Sequence, residues 1–160
     1  MNAQRTGLGD NGAKPPVLPE MKRPIAVVDD NSDDQFFLKR EMNFLFGQMP
    51  VITFQNGAAL LHYLQEHFED NERPWLILLD LHMMGMDGLR TLEFLHGRKN
   101  LADIPVVIVS GTLDRREVNA AFGYGARAFL SKPISRWEFI KLLNNGVVTK
   151  NEYKGGEGNG

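Results

Sequence analysis

The chain has 160 residues, 42% of them hydrophobic, with 18 basic against 20 acidic side chains and no cysteine. That length and apolar content suit one globular domain, and the near-neutral balance gives no general electrostatic attraction to nucleic acid or an anionic membrane. Without cysteine there is no disulfide, thiolate metal site or thiol nucleophile; with no signal-peptide stretch and no apolar run of about 18 residues to span a bilayer, the chain reads as cytoplasmic.

Residues 1–21, rich in Gly, Pro and Asn, show no periodic apolar face and predict a disordered N-terminal arm. The first apolar run, "IAVV" from 25, predicts a strand that ends on Asp29 and Asp30. Ser32 followed by Gln35 fits a capping box that opens the first helix. "VITF" from 51 predicts the second strand, and Asn56-Gly57 the turn into the second helix. "WLILL" from 75 predicts the third strand, which ends on Asp80; a turn through Gly85 to Gly88 leads to a helix with Leu89, Leu92 and Leu95 along one stripe and a left-handed stop at Gly97. "VVIV" from 106 runs into Ser110, the following helix has Gly123 as its left-handed stop, and "ARAFL" from 126 delivers Lys132. Ser135 and Glu138 form a second capping box for the last helix, and residues 148–160 read as a flexible tail, leaving 22–147 as the domain.

The five runs start about 20 to 31 residues apart, near the size of a strand, crossover helix and strand. Four are continuously apolar, which suits strands covered on both faces. The prediction is an α/β fold, a five-stranded parallel sheet with five flanking helices. In such sheets ligands bind beyond the carboxyl ends of the strands, and there Asp29, Asp30, Asp80, Ser110 and Lys132 converge. Neighbouring carboxylates repel by about 1 to 4 kcal/mol at 4 Å. A hard divalent cation such as Mg²⁺ reverses that cost and prefers one or two carboxylates plus a phosphate oxygen. A carboxylate beside it can attack phosphorus while an ammonium and a hydroxyl neutralise the transferring group, which makes Asp80 the natural nucleophile.

"IAVVDDNSDD", "LILLDLHMMGMDG", "IPVVIVSGT" and "GARAFLSKP", in this order over about residues 24 to 145, resemble the receiver domain of two-component response regulators. The resemblance implies a doubly wound, flavodoxin-like sheet in the order 2-1-3-4-5. It makes Asp80 the phosphoacceptor, and Asp29, Asp30, Asp80 and the backbone carbonyl of His82 the ligands of Mg²⁺, with Mn²⁺ as a substitute. Asp30 would bind directly and Asp29 through water. Ser110 and Lys132 would contact the phosphoryl group, Phe129 would hold the aromatic switch position, and His82 and Thr112 the positions that tune dephosphorylation. The implied phosphodonor is a sensor histidine kinase or histidine phosphotransfer protein; the output is a protein target, with a homodimer as another form of contact and no direct nucleic-acid or membrane binding. About fifteen residues after 145 leave no room for an output domain, so a single-domain regulator is expected, a phosphoacceptor rather than a turnover enzyme. The alternative is a pseudo-receiver that binds partners without phosphorylation.

Several residues carry a plainer reading beside these. Asp33 and Asp34 are read as acids favoured by the first helix's dipole, and His62, His67 and His96 as helix-surface residues. Trp137 and Tyr124 fit either a partner surface or a buried role. Lys132-Pro133 is expected to be cis, which proline makes accessible at about 0.5 to 1 kcal/mol. Met84 stands where the family usually has proline, so a looser loop after Asp80 is expected. A haloacid-dehalogenase-like phosphatase would need an aspartate where this chain has His82.

Overall fold

Each apolar run becomes a strand because its side chains are covered from both sides. In the computed structural model, which describes residues 23–47, 49–67, 71–112 and 114–146, β1 (Ile25–Val28), β3 (Leu76–Leu79) and β4 (Val106–Ser110) are buried at every position. The edge strands β2 (Val51–Phe54) and β5 (Ala128–Ser131) are only partly covered. All neighbours pair in parallel, as the apolar runs predict, and in the order β2-β1-β3-β4-β5 that the resemblance implies. The arm at 1–21 and the tail at 148–160 lie outside the described residues.

Alternation along the strands divides the core in two. Ile25, Val27, Leu76, Leu78, Val107 and Val109 face α1 (Ser32–Phe46) and α5 (Arg136–Asn144), where Met42, Leu45 and Phe139 close the layer. Trp75 is fully buried there, its indole N–H directed at Met49 Sδ at 2.8 Å and its ring edge-on to Phe46. The opposite residues, Ala26, Val28, Ile77, Leu79 and Ile108, face α2 (Gly57–Glu66), α3 (Gly88–His96) and α4 (Arg115–Gly123). Among the described residues no helix is long and apolar enough to cross a membrane.

Three local expectations are corrected. The cap of α1 is Asn31, not Ser32: its side-chain oxygen accepts the Asp33 and Asp34 N–H groups at 2.9 and 3.1 Å. Gln35 cannot reach back to close a box, because its amide is buried against the carbonyls of Asp29 and Phe54. Gly97 ends α3 in a right-handed conformation, and the left-handed glycine after α4 is Gly125 at φ 93, with Tyr124 as the cap in place of Gly123. The Ser135 box forms as expected, Ser135 N–H donating to Glu138 at 3.1 Å.

Candidate functional site

The sheet itself sets the site residues in place. Asp29 N–H donates to Phe54 O, Asp80 N–H to Val28 O and Lys132 N–H to Ser110 O, at 3.0, 2.9 and 2.9 Å. Each of these side chains thus projects from a backbone still tied to the neighbouring strand. The Lys132–Pro133 peptide is cis. Gly88, at the start of α3, lets that helix approach closely: a Cβ there would run into the backbone of Asp80 and Leu81.

At the centre lies the Lys132 ammonium. Its Nζ donates to Asp29 Oδ2 at 2.7 Å and to Asp34 Oδ2 and Asp80 Oδ2 at 2.9 Å each. Asp29 and Asp80 are buried. Burial pushes the Asp29 carboxyl above the usual carboxylate range, against the pull of the Lys132 ammonium and the Asn31 N–H. Burial also opposes the charge on Lys132, but the hydrogen bonds it donates to Asp29, Asp34 and Asp80 outweigh it and hold the amine above the ordinary lysine range. Asp34, read from sequence as a dipole acid, is therefore part of this cluster. Helical spacing gave no clue to it, because Asp29 and Asp30 precede α1.

Asp30 lies toward solvent. Ligand oxygens of Asp29, Asp30 and Asp80 all come within 4.8 Å of one another. Three oxygen donors drawn from two strand ends, with one face open, fit a hard divalent cation that keeps part of its water shell. The loop after Asp80, where looseness is expected from Met84, carries backbone tethers. Met84 N–H donates to Asp30 Oδ2 at 2.9 Å, a bond that proline could not make, while the Met84 side chain is 83% exposed. Further on, Gly57 N–H reaches Met86 O, and Gly88 N–H reaches Leu81 O, so the loop is pinned along its length.

The outer flank is built from polar side chains. Ser110 is fully buried at the end of β4, and Thr112 N–H points at its Oγ at 3.4 Å. Thr112 Oγ1 donates to Glu117 Oε2 at 2.7 Å, and the same oxygen lies 3.0 Å from His82 Nε2. Glu117 went unnoticed in the sequence because a single acid in the first turn of a helix usually serves the dipole. Phe129 is half-buried on the α4 side of β5. His62 and His96 are exposed, and His67 caps α2 and stacks on Tyr63. Trp137 and Tyr124 are exposed, which removes the buried alternative for both.

Residues 25–144 match the response regulator receiver domain family. The chain is 31% identical over 128 residues to the DNA-binding transcriptional regulator NtrC of Escherichia coli K12, covering 79% of this chain and a quarter (25%) of NtrC. Among solved structures, the bacteriophytochrome response regulator AtBRR superposes with a TM-score of 0.69 at 28% identity, over 82% of this chain and 96% of that one. The Mn(2+)-bound form of Rcp1, a response regulator of Synechocystis, superposes with a TM-score of 0.63 at 26% identity, over 74% of this chain and 87% of that one.

Proposed function

Because the chain belongs to the response regulator receiver domain family, we propose that it receives a phosphoryl group on Asp80 from the phosphohistidine of a sensor kinase or phosphotransfer protein, in a Mg²⁺-dependent reaction. The observation that carries this reading is the grip of Lys132 on Asp80 and Asp29, with the Asp30 carboxylate close by and open to solvent.

In the transfer, an Asp80 oxygen forms the new bond to phosphorus, the phosphorus–nitrogen bond breaks, and the imidazole leaves. Asp29, Asp30 and Asp80, with the His82 carbonyl, would hold Mg²⁺, or Mn²⁺ in its place; the cation neutralises charge on the phosphoryl oxygens. The response regulator Rcp1 has a Mn(2+)-bound form, which supports a divalent ion as a ligand here. Lys132, already within 2.9 Å of Asp80 Oδ2, has the reach to follow a phosphoryl oxygen attached there. Ser110 supplies a hydroxyl from the neighbouring strand end. The added charge and acceptor oxygens draw both inward, and Phe129, half-buried beside them, is placed to follow. The surface of α4, β5 and α5 then changes shape for a protein target, a shift whose size is set by how differently the two states hold the phosphoryl group.

Intact mass after incubation with acetyl phosphate, with and without Mg²⁺, tests this against Asp80→Asn. One Mg²⁺-dependent phosphoryl adduct is expected in the wild type and none in the variant. A folded protein that takes no adduct sinks phosphotransfer and leaves a phosphorylation-independent interaction module, the pseudo-receiver.

A further inference from the structure

We propose that Glu117 is a positioning residue of the phosphoryl site: it bridges His82 and Thr112 across the solvent side of Asp80 and thereby prolongs the life of the aspartyl phosphate. The inference rests on Asp80 being the phosphoacceptor.

Glu117 Oε2 accepts from both neighbours, Thr112 Oγ1–H at 2.7 Å and His82 Nε2 at 3.0 Å. Since an ionised carboxylate only accepts, the imidazole must present its N–H. Each partner leads directly into the site. His82 is two residues beyond Asp80, and its own N–H donates to Asp80 Oδ1 at 3.2 Å. Thr112 is two residues beyond Ser110, with its N–H directed at the Ser110 hydroxyl and its Oγ1 accepting Asp114 N–H at 3.2 Å. The bridge therefore joins the loop after β3, the loop after β4 and the first turn of α4.

The position of the bridge gives it a consequence for hydrolysis. Glu117 and His82 line a cavity of about 420 Å³ that also includes Asp30, Met84 and Asp87. A water molecule occupies about 30 Å³ in the liquid, so the cavity has room for water beside the bridge. What limits hydrolysis is whether a water lines up opposite the oxygen–phosphorus bond that breaks. His82 and Thr112, whose N–H groups contact Asp80 Oδ1 and the Ser110 hydroxyl, are on this proposal the side chains beside that approach. Held by one shared oxygen they keep fixed positions; released, they swing away and open it. Glu117 touches neither phosphorus nor Asp80, so it acts only through these two side chains.

The test is the half-life of phosphorylated full-length protein after removal of acetyl phosphate, read by intact mass, for wild type, Glu117→Ala, Glu117→Gln and Thr112→Val. Glu117→Ala and Thr112→Val are each expected to shorten the half-life at least threefold. The double variant should shorten it no further, because both remove the same bridge. Glu117→Gln keeps an oxygen able to accept both bonds and should stay within twofold of wild type, which a dipole role or a purely electrostatic shield would not allow. An unchanged or longer half-life in Glu117→Ala, or Glu117→Gln behaving like it, overturns the bridge. Should Glu117→Ala not fold, Thr112→Val decides alone by the same criterion. A wild type that takes no phosphoryl group removes the receiver reading and the bridge together, an outcome distinct from a labelled wild type with an indifferent Glu117.

Discussion

The inner and outer halves of the site are assembled on different principles. Inside, Asp29, Asp80 and Lys132 are buried or nearly so, and their backbones continue the sheet ladder. Outside, Asp30, His82, Thr112 and Glu117 are held by a small set of side-chain hydrogen bonds between loops and a helix end. The inner half owes its geometry to the fold and its energy to charge. The outer half owes both to side-chain contacts that water can compete with, so the first is rigid and the second adjustable.

The largest break in this contrast comes from removing the inner cation. Lys132→Met leaves Asp29 and Asp80 facing each other without compensation. Stripping one partner from a buried ion cluster costs about 3 to 5 kcal/mol. Because the Lys132 side chain keeps 20% exposure, a loss nearer about 2 to 4 kcal/mol is expected in metal-free urea denaturation. Mg²⁺ should restore part of it, since a ligand that binds only the folded state stabilises that state. No recovery with Mg²⁺ would mean that the carboxylates do not form one cation site.

Next in size is Asn31→Ala. Asn31 caps α1 and also donates its own N–H to Asp29 Oδ1 at 2.9 Å, so it joins helix to cluster. A loss of about 1 kcal/mol is expected from the cap. The loss should be the same with and without Mg²⁺, because the backbone N–H that Asp29 accepts survives in alanine; a Mg²⁺-dependent loss would show that the side-chain cap also supports the cluster.

The smallest effect is expected in the outer half. Met84→Pro removes the N–H that Asp30 Oδ2 accepts. The bond lies at the surface, where water replaces much of it, so Mg²⁺ affinity by titration calorimetry should fall only about two- to fivefold, a hydrogen bond's modest net worth of about 0.5 to 1 kcal/mol. A gain in affinity would instead show that a stiffer loop matters more than the tether.

The same division explains what could be read from the sequence. Asp29, Asp30, Asp80, Ser110 and Lys132 were legible because a residue at the end of an apolar run in a parallel sheet has only one place to be. Asp34 and Glu117 were not. They reach the site from helices α1 and α4, and whether a helical carboxylate turns to solvent or to a lysine depends on the distance between elements, which no local pattern encodes. Asn31 took the cap from Ser32 for a related reason: Gln35, the other half of the expected box, was already engaged by two strand carbonyls. Only half of the Met84 effect was legible, because sequence reports the loss of a proline ring directly and the gain of a backbone donor only once an acceptor is in range.

The two tryptophans give the protein a built-in optical probe at two depths. Trp75 is sealed in the layer beneath α1 and α5, and Trp137 stands on the outer side of α5 at 65% exposure. Their fluorescence should separate into a blue-shifted component that iodide cannot quench and a red-shifted one that it can. Unfolding would move the first, whereas a partner settling on α5 would move only the second, so one cuvette distinguishes loss of the fold from occupation of its surface.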